Sequence, residues 1–439
     1  MNDKATIESS PARHPDSATT FFRQSGWLVI ATVSSGVFMT GTQIVANRWM
    51  APAEYLLWFA LLRIFLLMSI PSAGLQIVFA QQTAAAVTDR QHQQLARTVR
   101  ATLAAMFGIW LIMVAVAIAG RSHWIELLKI TNPAALWVTV VLGLASLWSP
   151  IVKGVLQGFQ NFLGLGWVFI LDGVGRFAAI LVIVWLGGQA AGGMTGALMG
   201  QGVSVLVGVW LLRHLLCAPG EAADWRPWLR RVLPLTLGIG SVQFMFNADV
   251  VYVQSIFTTD QTRYYMPAAM MGLALVTATT PLAAVMFPKV VRSTALTQNT
   301  RALHRAFAAT LSLGVAAAGF CTLFPEFPLR IVYFSKPVYW AAAPLVPWFT
   351  WCLLPLILTN VLISNLLARD RFAVVPWGIL VAAGYGLTLA LLRPYLRTLN
   401  EMLAFRTIIQ TLGSFSLLFL AVAALFSWRE AGRAAAAGR

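Results

Sequence analysis

Apolar runs of about 20 residues recur along the whole chain, broken by short polar connectors. Twelve such runs can be drawn, at 26–46, 56–80, 99–119, 134–156, 162–187, 193–216, 232–256, 264–288, 305–325, 340–367, 372–396 and 403–428. Each is long enough for a helix to cross a bilayer, which predicts an all-α polytopic membrane protein. The grouping predicts six-helix lobes over 25–216 and 232–428, joined by a linker at 217–231. Residues 1–24 are polar and rich in Pro and Ser, and 429–439 are Ala- and Arg-rich, so both read as loose tails. Pro344, Pro347 and Pro355 predict that the tenth span is kinked or preceded by an interfacial turn.

Composition agrees with the pattern. The chain is 59% hydrophobic and 10% charged, against about a quarter charged in soluble domains. A net charge of +16 raises nucleic acid as a partner, but the basic residues lie between apolar runs and form no single patch, so they read as topology signals. With the N-terminus inside, 20 basic residues fall on the cytoplasmic side and 9 on the other; Arg63 and Arg176 lie within spans. That bias places both termini and the 81–98 and 217–231 connectors in the cytoplasm. The 81–98 connector reads as an amphipathic helix that either meets anionic headgroups or is simply solvated. Cys217, Cys321 and Cys352 have no metal-ligand spacing and read as packing residues. No Walker motif is present, and no cofactor, metal or catalytic group is expected.

The halves repeat one another. Phe38-Met39 matches Phe244-Met245 at a shift of 206, which sets Gln43 against Asp249. "VFAQQ" (Val78–Gln82) parallels "MFPKV" (Met286–Val290), and "LQGFQNFLGLGW" (Leu156–Trp167) parallels "LLARDRFAVVPW" (Leu366–Trp377) at a shift of 210. Six spans per repeat give halves of like orientation around a central cavity, with alternating access by rocking.

The charges at depth carry the candidate chemistry. Asp172 and Asp249 are the acidic residues well within spans. Asp172 and Arg176 are four apart on span 5, an ion pair that is either structural or holds Arg176 toward a cavity until an anion competes. Arg63 has no acidic residue within a helical turn; Gln43 and Asn47 are the polar neutrals that spans 1 and 2 offer it. It either snorkels, pairs with Asp249 across the halves, or waits for an anion, with Lys153, Lys289 and Arg48 as further cationic candidates. Asp249 and Asp172 are the candidate ion-coupling groups. Gly192, Gly196 and Gly200, like Gly154 and Gly158, have the spacing of close helix packing.

"VANRWMAPAEYLLWFALLR" resembles the end of the first span in bacterial polysaccharide flippases: Arg48, Pro52, Glu54 and Tyr55 match, while Leu56 replaces the family's glycine. "YYMPAAMMGLALVTATTPLAAVMFP", ending at Pro288, and "LQGFQNF" followed by Arg176 resemble two further segments. The resemblance implies two six-span lobes around a cationic cavity. It also implies a substrate of undecaprenyl-pyrophosphate carrying a short glycan, flipped to the outer leaflet for surface polysaccharide synthesis. A polysaccharide polymerase and chain-length machinery would be partners, beside membrane lipids. Two other readings stay open. An ion-coupled multidrug or organic-cation antiporter of the same superfamily would present acidic side chains to its cavity. A membrane polymerase or ligase would need a large outer loop with catalytic groups, and the outer loops here are short.

Overall fold

The first lobe is built on α1 (Asp16–Trp49), α2 (Pro52–Met68), α3 (Leu75–Ala85), α4 (Asp89–Ala119), α5 (Arg121–Leu128), α6 (Pro133–Gly158), α7 (Phe162–Trp185), α8 (Gln189–Leu211) and the short α9 (Arg213–Cys217). The second has α10 (Trp225–Ile256), α11 (259–276), α12 (Arg301–Leu323), α13 (Glu326–Val332), α14 (Val346–Ala368), α15 (Val375–Leu396) and α16 (Glu401–Ala437). The computed structural model describes residues 16–221, 225–276 and 301–437. Lys289 and the Met286–Val290 segment lie outside them.

Among the described residues, nine helices are long and apolar enough to cross a membrane, α2 and α3 counting as one, and the bent pair Phe307–Leu323 and Glu326–Val332 makes a tenth. The 32-residue α10, whose polar side chains keep it below the apolarity of the rest, and α11, described over 259–276, bring the helices to those of a twelve-span fold.

Several expected boundaries move, for local reasons. The amphipathic 81–98 segment is no separate connector: from Asp89 it is continuous with α4, started by a capping box between Thr88 and Gln91. The second span breaks at Ile70–Ser72, a 3-10 turn containing Pro71. Gly74 follows, and a Cβ there would lie 2.7 Å from the backbone nitrogen of Thr236 in α10. The tenth span begins with a 3-10 segment, Pro337–Leu345, as its prolines foretold. The linker is shorter than expected because α10 starts at Trp225. Both expected tails are helical in part: α1 begins at Asp16 and α16 runs to Ala437, where alanines favour helix.

The same helix pairs recur in both lobes. The α1–α7, α6–α8, α7–α8 and α4–α6 contacts correspond to α10–α15, α14–α16, α15–α16 and α12–α14. At the turn after α6, Gln160 is left-handed (φ 56°), its N–H reaches Gln157 O at 3.1 Å, and Asn161 N reaches Leu156 O at 3.0 Å. After α14, Asp370 is left-handed (φ 56°), with Asp370 N to Leu367 O at 3.1 Å and Arg371 N to Leu366 O at 2.9 Å. Each member is 210 residues from its counterpart, as the sequence repeat required.

The first helices pair one residue away from the sequence alignment. The last turn of α1 closes with Met50 N to Ala46 O, and that of α10 with Phe257 N to Val253 O, a shift of 207. Asp249 therefore corresponds to Thr42 rather than Gln43. Thr42, like Gln43, does not titrate, so Asp249 faces a neutral counterpart in either register.

Candidate functional site

Glycines bring the helices of the first lobe close. A Cβ on Gly200 of α8 would lie 2.5 Å from Arg176 N and 2.6 Å from Asp172 O, so α8 rests on the α7 backbone where that lobe's charges sit. Gly154 of α6 meets Gln76 O at 2.5 Å in the same sense. These spacings serve packing.

That packing buries a triad. Arg176 Nη2 donates to Asp172 Oδ1 at 3.3 Å, and Lys153 Nζ, reaching in from α6, stands 3.9 Å from Asp172 Oδ2. The three side chains are 11–14% exposed. Lys153 also lies 4.9 Å over the Phe169 ring. The intrahelical pair read from the sequence is thus half of an interhelical group with one surplus positive charge. Arg176 Nε is buried without a hydrogen-bond partner, which leaves a donor for an anion.

Arg63 belongs to a second group, between the lobes. It is 3% exposed, and its Nη1 donates to Oδ1 of Asn247 on α10 at 3.1 Å. Its guanidinium carbon stands 4.7 Å over the Phe59 ring. Asp249 is nearby but accepts from Tyr265 of α11 at 2.7 Å, and no ion pair joins it to Arg63. Both line a cleft of about 10 Å³, room for roughly one water. Neither snorkelling nor pairing with Asp249 describes Arg63: it crosses to the opposite lobe and meets a neutral amide. Asn247 in turn donates to Gln243 O at 2.7 Å, which fixes the amide with its oxygen toward Arg63.

The remaining candidates separate. Arg48, in the last turn of α1, is exposed and joins neither group. Gln43 has its Oε1 buried without a partner. Asn47 is buried and donates from Nδ2 to Val332 O at 3.4 Å, across the lobes.

Asn47 leads to an arrangement that sequence reading missed. At the end of the molecule opposite the start of α1, the lobes are joined by reciprocal contacts. Lys129, left-handed at the end of α5, donates to Gln254 O at 2.7 Å and to Phe257 O, while Lys336 of the second lobe donates to Met50 O. Gln254 Nε2 reaches Leu128 O at 2.9 Å, as Asn47 reaches Val332 O. Lys129 and Lys336 are 207 apart, as are Met50 and Phe257, and Asn47 and Gln254. One two-fold-like operation therefore relates the two halves of this latch. Each lysine sits on carbonyls at the C-terminus of the other lobe's first helix, where a cation is favoured. Burial lowers the pKa of both ammonium groups. The only signal in the sequence was the lysine spacing, which had been absorbed into the charge count.

The segment that resembled the flippase family serves the same end of the molecule. Glu54 accepts from Ala190 N at 3.1 Å and from Thr131, and Pro52 O accepts from Tyr339 at 3.1 Å. Tyr55 lies 6.0 Å, ring to ring, from both Tyr333 and Tyr339 of the other lobe.

No family model matches the sequence, and no curated protein matches it. Solved structures do. A multidrug resistance MATE family transporter of the MOP superfamily, in its inward-facing conformation, superposes with a TM-score of 0.67 at 12% identity, covering 90% of this chain and 94% of that one. The lipid II flippase MurJ, inward closed, gives 0.67 at 12%, covering 90% and 86%. A MOP superfamily transporter from Pyrococcus furiosus Vc1, described as having a binding pocket of reverse polarity, gives 0.63 at 13%, covering 93% and 95%. At these identities the likeness is one of fold: this multi-pass membrane protein has the twelve-helix fold of MOP superfamily transporters.

Proposed function

We propose that the protein is a flippase that carries an anionic, lipid-linked substrate, undecaprenyl-pyrophosphate bearing a short glycan, from the cytoplasmic to the outer leaflet of the bacterial inner membrane by alternating access. The observation that carries this reading is Arg63, a guanidinium buried between the lobes whose hydrogen-bond partner is the neutral Asn247. A cation held there by an amide has its charge uncompensated by direct contact, and a pyrophosphate would supply two or more charge-assisted bonds in place of one neutral one. The triad, with its surplus positive charge and unpartnered Arg176 Nε, is a second station for phosphate or an acidic sugar. In this reading both termini are cytoplasmic, the lysine latch closes the outer side, Asp249 couples transport to an ion, and polymerase and chain-length proteins take over the product.

A multidrug or organic-cation antiporter has the same fold and needs a carboxylate free for a cation. Of the two acidic residues well within the spans, Asp172 is held by two cations, and Asp249, which accepts from Tyr265, is taken by ion coupling in this reading. That favours the anionic cargo. The test is complementation of surface polysaccharide in a strain lacking the gene, with Arg63→Ala at matched protein level. Loss of export with normal membrane insertion is expected; wild-type export would remove the main support for an anion site at Arg63.

A further inference from the structure

Arg406 belongs to neither charged group. It lies in the second turn of α16, half-buried, with its Nε sealed from solvent and without a hydrogen-bond partner. Among the described residues no carboxylate pairs with it; Glu401, one turn away, accepts from Gln261 at 2.9 Å. Its guanidinium carbon instead stacks 5.9 Å over the ring of Trp348 on α14.

Trp348 heads an apolar groove of about 880 Å³ that runs between α14 and α16. Trp348, Trp351 and Pro355 form one wall, and Gln410, Ser414 and Leu417 the other. Gly413 lets the helices approach at its floor, where a Cβ would come within 2.7 Å of Cys352 Sγ. Trp351 is 44% and Leu417 58% exposed, so the groove opens outward, toward lipid. An arginine without an acidic partner in an apolar segment is costly and calls for an anion. At the head of a groove open to the bilayer, the phosphate of a lipid meets that need while an acyl chain fills the apolar length. Arginine suits this, because its planar fork grips phosphate while its face stacks on tryptophan.

We propose that the α14–α16 groove is a binding site for one anionic phospholipid, with its phosphate on Arg406 and an acyl chain between Trp351 and Leu417. The site is separate from the inter-lobe cleft and does not depend on which substrate is carried. The test is native mass spectrometry of the full chain in detergent, titrated with phosphatidylglycerol or phosphatidylethanolamine. The wild type should hold one phosphatidylglycerol in preference to phosphatidylethanolamine. Arg406→Gln should weaken that adduct about fivefold, the worth of one basic residue near a lipid headgroup. Ser414→Trp, which fills the groove from an exposed position, should abolish it, while Arg121→Gln, removing an exposed charge from the first lobe, should leave it unchanged. If Arg406→Gln does not yield monodisperse protein, Arg406→Lys takes its place and should bind more weakly than the wild type. Equal retention by Arg406→Gln and Ser414→Trp, or equal binding of the two lipids, would overturn the site. Displacement of phosphatidylglycerol by equimolar undecaprenyl phosphate would overturn the choice of occupant and assign the groove to a carrier lipid.

Discussion

At the scale of single residues, the proposed anion route rests on Arg63, on the Asp172–Arg176–Lys153 triad and on Asp249. Arg63→Lys keeps the charge but loses the planar fork, so it should restore export only in part, where Arg63→Ala restores none. The triad separates structure from function through its own stoichiometry. Arg176→Gln leaves Asp172 with Lys153 at 3.9 Å, a looser partner, and should reduce export and protein level together. Adding Asp172→Asn removes the stranded carboxylate and should bring the protein level back. If export returns with it, the triad is a packing device; if export stays low, Arg176 binds cargo. Asp249→Asn should leave the protein inserted, because Tyr265 can still donate to the amide oxygen, while the pH or sodium dependence of export changes. An unchanged profile of export in vesicles across both variables would exclude Asp249 as the coupling group.

Between elements, the contacts that matter are those without slack. Gly200 allows α8 to touch the α7 backbone, and neither Arg176 N nor Asp172 O can move as a flexible side chain could. Gly200→Ala should therefore push the helices apart at a cost of about 1–3 kcal/mol, read as a lower melting temperature of the purified protein. The latch works between the lobes. Each lysine donates to carbonyls of the other lobe, bonds worth roughly 0.5–1.5 kcal/mol net, so Lys129→Gln and Lys336→Gln should each shift the balance toward the opened arrangement by about two- to tenfold. Both ammonium groups have pKa values lowered by burial from an ordinary 10.5. The closed form thus binds fewer protons, and closure should strengthen as pH rises through the lowered values toward the ordinary one. Double electron–electron resonance between spin labels on the two lobes measures both effects. Identical distance distributions in wild type and both variants would rule out a gating role for the lysines.

For the whole molecule, alternating access requires the latch end to separate while the opposite end closes. A cysteine pair replacing Asn47 and Val332, whose backbone carbonyl accepts from Asn47 across the lobes, should crosslink on oxidation, stop export, and recover on reduction. Export that persists through complete crosslinking would exclude motion at this end. The direction of the molecule in the membrane is a separate question. Cysteines introduced at 85–90 should stay unlabelled by an impermeant reagent in intact cells, and those at 120–123 should label; the reverse pattern would invert the orientation.

Spans, lobes and the second-half repeat were legible in the sequence because they depend on local properties: apolar length, and turns such as Gln160 and Asp370 whose hydrogen bonds span five residues. The Asp172–Arg176 pair was legible for the same reason, since one helical turn fixes it. Pro344 and Pro347 marked the 3-10 entry to the tenth span, a break that backbone chemistry imposes, whereas Pro355 sits inside the continuous α14. What lay beyond reach were partners brought together from different helices. The sequence placed Arg63 at depth, but only the packing of α2 on α10 put Asn247 opposite it and left Asp249 to Tyr265. Lys153 looked like a charge near a helix end until α6 set it against Asp172. Lys129 and Lys336 looked like topology signals until the lobes met and each found the carbonyls of the other's first helix. Local periodicity determines which segments cross the membrane; which charges meet depends on distances between helices, and those are set by glycine contacts and by the two-fold-like assembly of the lobes.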